Sequence, residues 1–314
     1  MAMRIGVLGA GGMGTAFAAH LAAADADVVL IGRGSAHVRS LAGRPVEVVP
    51  PHGDPWRVTV PVAGHPADVP PGRLDVLLVL TKAYDLDAAL RSAAHTLGSG
   101  GVAVPLQNGL GTDAVVADVV GDGRTLVGTT TVGAALAEPG RITVSMSTAA
   151  GESLTSIGRM GRAAGDLATG ADVAELLTKA GLPTEVTPAV AELVWGKLAL
   201  AAMSPLSCVP RVTVAEVWGS AEGRALVERM FDEVVAVAAA EGVPLDRDAA
   251  WAHARRTFEG TGEHYTSMCT DVRLGRPTEL GVMGGAVRAL GERHGVPVPV
   301  HATVCDLLGL AGVR

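Results

Sequence analysis

The sequence predicts an α/β Rossmann-type doubly wound domain followed by an all-α C-terminal domain. Three observations carry this expectation: a strand, glycine turn, helix and strand in the first 31 residues; further alternation of short apolar runs with helical segments through Leu106; and text of helical length and period from Ala189 onward. A chain of 314 residues accommodates two domains of ordinary size, expected at 1–188 and 189–314.

Met3 to Gly9 is apolar, short and stopped by glycine, as a buried strand is. Gly12 to Ala24 has helical spacing and is rich in Ala, and Asp27 to Ile31 is a second strand. Such a βαβ unit makes its strands parallel. Leu74 to Leu80 reads as a strand, Leu86 to Leu97 as a helix and Val102 to Leu106 as a strand, which continues the pattern. Between Thr125 and Ile157, Thr- and Val-rich stretches flank Glu138-Pro139-Gly140, a turn signal that predicts an antiparallel hairpin closing the first domain. Residues 145–170, rich in Gly, Ser and Ala, read as a loosely ordered connection, and a last short strand is expected at Glu185-Val186-Thr187. Helices are expected over Ala189–Ala202, Ser220–Glu241, Asp246–Phe258 and Gly281–His294.

Hydrophobic residues make up 48% of the chain but aromatic ones only 3%, so the core has to be built from Ala, Val and Leu. The net charge of -7 excludes the basic face a nucleic-acid partner requires. No apolar run reaches membrane-spanning length, and the chain enters its first strand without a signal-peptide layout, so a cytoplasmic protein without a membrane partner is expected. Cys208, Cys269 and Cys305 are too few and too scattered for a disulfide framework or a metal site. Asn and Gln occur once each, as neighbours at Gln107-Asn108, and Lys occurs three times beside 22 Arg. A GC-rich genome depletes these codons, which weights the survivors slightly towards positions where their chemistry matters.

Gly9-Ala10-Gly11-Gly12-Met13-Gly14 places GxGxxG after a strand and at the opening of a helix. The first glycine permits the turn, the second admits a pyrophosphate, and the third lets helix and strand pack closely. Helix N–H groups then face the anion. An NAD-preferring site ends its second strand in Asp or Glu; here the text is Ile31-Gly32-Arg33-Gly34, with no carboxylate in the stretch. Arg33 suits a 2′-phosphate, so NADP(H) is the expected cofactor.

Seven motifs then occur in order: the Gly9 turn, Thr81-Lys82-Ala83, Gln107-Asn108-Gly109, Trp195-Gly196-Lys197-Leu198, Ser267-Met268, Gly275-Arg276-Pro277-Thr278-Glu279 and Gly295-Val296-Pro297-Val298-Pro299. Together they resemble the ketopantoate reductase (2-dehydropantoate 2-reductase) family over nearly the whole chain. The resemblance implies NADPH-dependent reduction of a 2-keto acid to a 2-hydroxy acid, in that family's case within pantothenate biosynthesis. It implies that Lys197 protonates the developing alkoxide with Glu279 beside it. It also implies that Asn108 and Ser267 contact substrate, and that Gly9, Gly11, Gly12, Met13, Gly14, Arg33, Lys82, Asn108 and Glu279 line the cofactor. A homodimer is compatible with it.

Independent physical arguments support part of this assignment. A carbonyl under reduction gathers negative charge on oxygen and needs a donor close by. Lys197 lies among Leu193, Val194, Leu198 and Leu200, where desolvation lowers its pKa, while a neighbouring Glu works the other way. Asn108 and Lys82 each follow a strand's carboxyl end, where ligands of open α/β sheets bind. Ser267 reads as a loop residue and Glu279 as the start of a helix, both assigned only through the resemblance; Asp271, Arg273 and Arg276 read as solvated or ion-paired.

The chain departs from the family pattern beside the lysine. Two asparagines expected one and two turns after it are Ala201 and Ser204, counted here as substrate-pocket residues on the Lys197 face, and an Asp and an Asn expected after the Glu are Gly281 and Gly284. Fewer amides hold fewer polar groups, so a larger or less polar 2-keto acid than ketopantoate is expected. The alternatives are an imine or other carbonyl reductase of a specialised pathway, and a non-catalytic NADP-sensing protein. Retention of both Lys197 and Glu279 speaks against the sensor.

Overall fold

The computed structural model describes residues 3–145, 154–160 and 167–313. The chain divides into two compact units, Met1–Gln107 with Thr112–Val190, and Asn108–Gly111 with Ala191–Arg314.

In chain order the first unit contains β1 (Arg4–Leu8), α1 (Gly12–Ala23), β2 (Asp27–Ile31), α2 (Ala36–Ser40), β3 (Val46–Val49), β4 (Trp56–Val58), β5 (Val62–Ala63), β6 (Leu74–Val79), α3 (Leu86–Ala93) and β7 (Leu97–Pro105). After the Asn108–Gly111 excursion come α4 (Thr112–Val120), β8 (Val127–Thr130), β9 (Gly133–Glu138), β10 (Arg141–Ser145), β11 (Thr155–Gly158), α5 (Ala168–Lys179) and β12 (Thr184–Val186). The central sheet runs β5-β2-β1-β6-β7, parallel throughout, with β1 in the middle. After β1 the chain builds towards β5, then returns to β6 on the other flank, so the carboxyl ends of β1 and β6 border the point where strand order reverses.

Both sheet faces are covered, as a parallel sheet requires. Ile5 and Val7 join one core with Phe17, Leu21, Leu177 and Leu182, while Leu8, Leu77 and Val79 join another with Leu86, Leu90 and Val116. Helix α1 is apolar all round because it packs on β1 and β2 and also on β9 and β10.

The expected antiparallel hairpin is β9–β10, but it joins neither edge of the parallel sheet. Strand β10 pairs in parallel with β3, giving a separate sheet β4-β3-β10-β9, and β12-β11-β8 forms a third. Of the connection expected over 145–170, residues 146–153 and 161–166 lie outside the described residues. Within the described part the expectation fails: β11 pairs with β8 and β12, and α5 begins at Ala168.

A buried histidine ties α1, α2 and the hairpin turn together. The Gly140 N–H donates to His37 Nδ1 at 3.1 Å, so the ring proton sits on Nε2 and is donated to Thr15 Oγ1 at 2.9 Å. Protonating Nδ1 would set one N–H against another.

The second unit contains α6 (Val190–Leu200), α7 (Met203–Cys208), α8 (Val214–Gly219), α9 (Ala221–Ala240), α10 (Arg247–Thr261), α11 (Ser267–Arg273), α12 (Gly284–His294) and α13 (Pro299–Leu310). The twenty-residue α9 packs on α7, α8, α10, α12 and α13. Its Glu233 accepts the N–H groups of Val300 and His301 and the His301 ring, satisfying the open donors at the start of α13. Aromatic residues contribute more here than the composition led us to expect: Phe231, Trp251, Trp218 and Phe258 form a chain of ring contacts with centroids 5.0–6.0 Å apart.

Two helix expectations need correction. The first C-terminal helix stops at Leu200 rather than Ala202, because Pro205 has no N–H to offer the Ala201 carbonyl, which instead accepts from Ser204 N at 2.9 Å. The segment beginning at Gly281 starts as a 3₁₀ turn, Leu280–Val282, and becomes α-helical only at Gly284.

Burial lowers the His37 pKa below its ordinary 6.5. Its neutral form therefore stabilises the fold fully above that value, and the contribution is lost as pH falls below it. Thermal unfolding between pH 7.5 and 5 should show a falling Tm. In His37→Gln, whose amide can keep both hydrogen bonds without charging, a smaller part of Tm should be lost over the same range.

Candidate functional site

In the first unit, the glycine turn follows β1 at the reversal of strand order. Gly9 has φ +112°, and a Cβ on it would lie 2.7 Å from Thr81 N at the end of β6. A Cβ on Gly14 would lie 1.8 Å from the Gly9 carbonyl oxygen. The turn therefore closes only with glycine at both ends. Gly12 opens α1 and backs onto β9, where a Cβ would meet the Ala134 carbonyl oxygen at 2.7 Å, and Met13 packs against the core of its unit. Packing accounts for the absent side chain at Gly12 and for the placing of the Met13 side chain.

The middle glycine is different. Gly11, the N-cap of α1, has φ -87° and ψ -172°, a conformation open to other residues, and a Cβ there would meet nothing within 4 Å. It makes no side-chain cap, and α1 has no acidic residue in its first turn, so its leading N–H groups and the positive end of its dipole suit an anion. Nearby, Gln107 at the end of β7 donates to Thr81 Oγ1 at 3.3 Å, while its buried Oε1 accepts no hydrogen bond from a described residue. An open cradle at Gly11 and an unsatisfied acceptor at the carboxyl edge of the sheet both fit a dinucleotide.

Arg33 lies beyond β2, with its side chain 79% exposed, as the cofactor reading requires. The stretch around it holds no carboxylate, as read from the sequence, but a distant one reaches it: Arg33 Nη1 donates to Asp85 Oδ2 at 2.9 Å. The sequence conceals this partner because it lies 52 residues away, beyond a different strand. Lys82 precedes the 3₁₀ turn Ala83–Asp85 just after β6.

The second unit gathers the other group. Lys197 on α6 is half-buried, and burial pushes its pKa down to about 8 despite the opposing charge of Glu279. Glu279 leads into the 3₁₀ turn Leu280–Val282. Asn108 belongs to this unit although it follows a strand of the other. The Leu110 N–H donates to the Val282 carbonyl at 2.9 Å, and Gly109, at φ +90°, lies so close that a Cβ would be 2.3 Å from the same oxygen. Asn108 is thereby tied to the segment that carries Glu279. Ser267 is no loop residue; it opens α11, capped by Thr266, whose Oγ1 lies 3.3 Å from Ser207 Oγ on α7. Helix α7 also holds Ser204, and Ala201 sits in the turn before it.

The replaced positions differ in the room they leave. At Gly281 a Cβ would meet nothing within 4 Å; at Gly284 it would approach Cys305 Sγ to 3.1 Å, so that side chain would have to give way slightly. Asp271 is buried and lies 4.0 Å from Arg276, while Arg273 covers the Tyr265 ring at 3.7 Å. Sequence reasoning missed Asp85 and Gln107 as site residues. The rarity of Gln was a faint signal for the second, and nothing local marked the first.

Comparison with known proteins was consistent over the whole chain. Residues 5–161 match the family model described as ketopantoate reductase PanE/ApbA, and residues 171–311 match that of its C-terminal region. The chain is similar to a 2-dehydropantoate 2-reductase of Halobacterium salinarum, 35% identical over 98% of this chain and 99% of that one. Among solved structures, the fold is shared with a 2-dehydropantoate 2-reductase from Geobacter metallireducens GS-15 (TM-score 0.89, 24% identity, 98% and 100% of the two chains). It is shared equally with D-mandelate dehydrogenase, solved with NADH and anilino(oxo)acetate (TM-score 0.87, 24% identity, 98% of each chain). Among the described residues no helix is long and apolar enough to cross a membrane.

The cradle can be tested by two glycine substitutions. Gly11→Ala should cost no more than about 4 °C of Tm, a weakened helix cap in a chain of this size. It should weaken NADPH binding by at least about tenfold in a fluorescence titration if a pyrophosphate sits at the start of α1, because the methyl would enter that open space. Gly14→Ala should lower Tm well beyond that, since its methyl strikes protein backbone.

Proposed function

We propose NADPH-dependent reduction of a 2-keto acid to a 2-hydroxy acid, proceeding from the fact that this chain belongs to the ketopantoate reductase family. It is an oxidoreductase acting on the CH–OH/C=O couple with a nicotinamide cofactor. The observation that carries the finer reading is Lys197, a half-buried ammonium with pKa about 8 under the influence of Glu279, in the same unit as Asn108 and Ser267.

When bound, the reduced nicotinamide supplies the hydride. Lys197 supplies what the product oxygen needs, a proton at Nζ. Near neutral pH an amine of pKa about 8 is still mostly protonated, yet it releases its proton far more readily than an ordinary lysine. Glu279 holds the ammonium form against desolvation, so the donor stays loaded. The Asn108 amide and the Ser267 hydroxyl orient the substrate's carboxylate and carbonyl. Arg33 and the start of α1 hold the phosphates, with Lys82 beside them. The cation in its strand-end position, where an acid would serve NADH, supports NADPH.

The substrate reading rests on what stands near the lysine. Ala201 and Ser204 offer one short hydroxyl where two amides would hold ketopantoate, and Gly281 leaves open space. The same fold serves D-mandelate dehydrogenase, so the scaffold does not confine its members to ketopantoate. We favour a 2-keto acid with a larger or less polar side chain.

Lys197→Ala should lower kcat by roughly 10²–10⁴ while NADPH titration stays within about threefold of the parent. In the parent, kcat for reduction should fall as pH rises through about 8, where Lys197 loses its proton, and that limb should disappear in the variant. A variant turning over within threefold of the parent would make the lysine structural.

Following NADPH absorbance against a panel of 2-keto acids tests the substrate. Ketopantoate should be turned over about 10- to 100-fold less efficiently than the best member, corresponding to two missing hydrogen bonds. The double change Ala201→Asn with Ser204→Asn should recover part of that difference. A parent kcat/KM near 10⁵ M⁻¹s⁻¹ on ketopantoate, an ordinary enzyme value, would defeat this reading.

A further inference from the structure

Asp85 occupies the N-cap of α3, the position where an aspartate ordinarily turns back and accepts an N–H of the first helical turn. It makes no such bond. Its carboxylate instead takes Arg33 Nη1 at 2.9 Å, with the guanidinium 79% exposed and the carboxylate 33% exposed. A helix cap is thus given up for a contact with the residue that the cofactor reading assigns to the 2′-phosphate. Around Arg33 the backbone is well anchored: Gly32 N–H donates to the Ala63 carbonyl at 3.0 Å, Gly34 N–H to the Gly64 carbonyl at 2.8 Å, and Arg39 donates to the Gly34 carbonyl. The guanidinium is the movable part, and Asp85 is what it rests on.

We propose that Asp85 sets the strength of this chain's preference for a 2′-phosphorylated cofactor, by competing with the phosphate for Arg33. The inference rests on the reading of Arg33 given above. A 2′-phosphate must draw the guanidinium away from a carboxylate or share it with one, and either course weakens its hold. A 2′-hydroxyl carries no charge with which to contest the guanidinium, so NADH meets no such competition. Asp85 therefore lowers affinity for NADPH while leaving NADH alone, and the chain keeps a narrower cofactor preference than Arg33 by itself would impose.

The test is equilibrium binding of NADPH and of NADH to the purified full chain, by fluorescence titration, for the parent, Asp85→Asn, Arg33→Ala and the double variant. Asparagine keeps the shape and the capping capacity of aspartate while removing its charge. Asp85→Asn should tighten NADPH about two- to fivefold, the range of an exposed ion pair, and leave the NADH Kd within twofold. With Arg33→Ala already present, the same substitution should shift the NADPH Kd less than twofold, because the contested guanidinium is gone. A merely structural role would move both cofactors together, and that result would overturn the proposal. So would unchanged or weaker NADPH binding in Asp85→Asn while Arg33→Ala erases the NADPH preference. If Arg33→Ala leaves the preference intact, the assignment of Arg33 itself fails, and this inference fails with it.

Discussion

An ammonium group removed from water sheds its proton unless something nearby favours the charge, and at Lys197 that conflict is settled between burial and a carboxylate. Burial draws the pKa towards 8, and the Glu279 carboxylate limits the fall. For the donor role proposed above, neither effect alone suffices. A solvated lysine would hold its proton too tightly at neutral pH, and a desolvated one without an acid beside it would stand empty. The rest of the second unit arranges this balance: α6 supplies an apolar setting, the turn at Leu280–Val282 supplies the acid, and the Leu110–Val282 hydrogen bond ties Asn108 to that turn.

The first unit rests on a constraint of another kind, steric rather than electrostatic. Its glycine turn closes against the Gly9 carbonyl and the end of β6 at distances no side chain would allow. Close approach brings β1, α1 and β6 together at the reversal of strand order, where backbone N–H groups and strand ends converge. The His37 hydrogen bonds extend the same rigidity outward, joining α1 to α2 and to the β9–β10 turn through one neutral ring. Arg33, just beyond β2, follows this frame with its side chain exposed and paired to Asp85.

Small residues stand at four positions that the family pattern reserves for polar side chains. Where the family pattern calls for amides, this chain has Ala201, Ser204, Gly281 and Gly284, and these are not equivalent losses. Gly281 leaves open space, whereas at Gly284 a Cβ would come within 3.1 Å of Cys305 Sγ, which would have to give way by a few tenths of an ångström.

Sequence alone determined whatever depends on neighbours along the chain. The β1–α1–β2 unit was legible to within a residue or two because apolar period, glycine spacing and strand length are local properties, and α9 and α10 were legible for the same reason. Lys197 was recognisable as desolvated from the leucines around it. Tertiary structure decided what depends on distant partners. Strand β10 pairs with β3 across nearly a hundred residues and not with the parallel sheet, a choice of register that no pattern in the hairpin encodes. Asn108–Gly111 folds with the helical unit because Val282 accepts a hydrogen bond from Leu110, which the strand before it gives no hint of. Asp85 stands at the N-cap of α3 and becomes the partner of Arg33, since the charge of a side chain is written in the sequence but the place where its oxygen ends up is set only when β2 and β6 take their places on either side of β1.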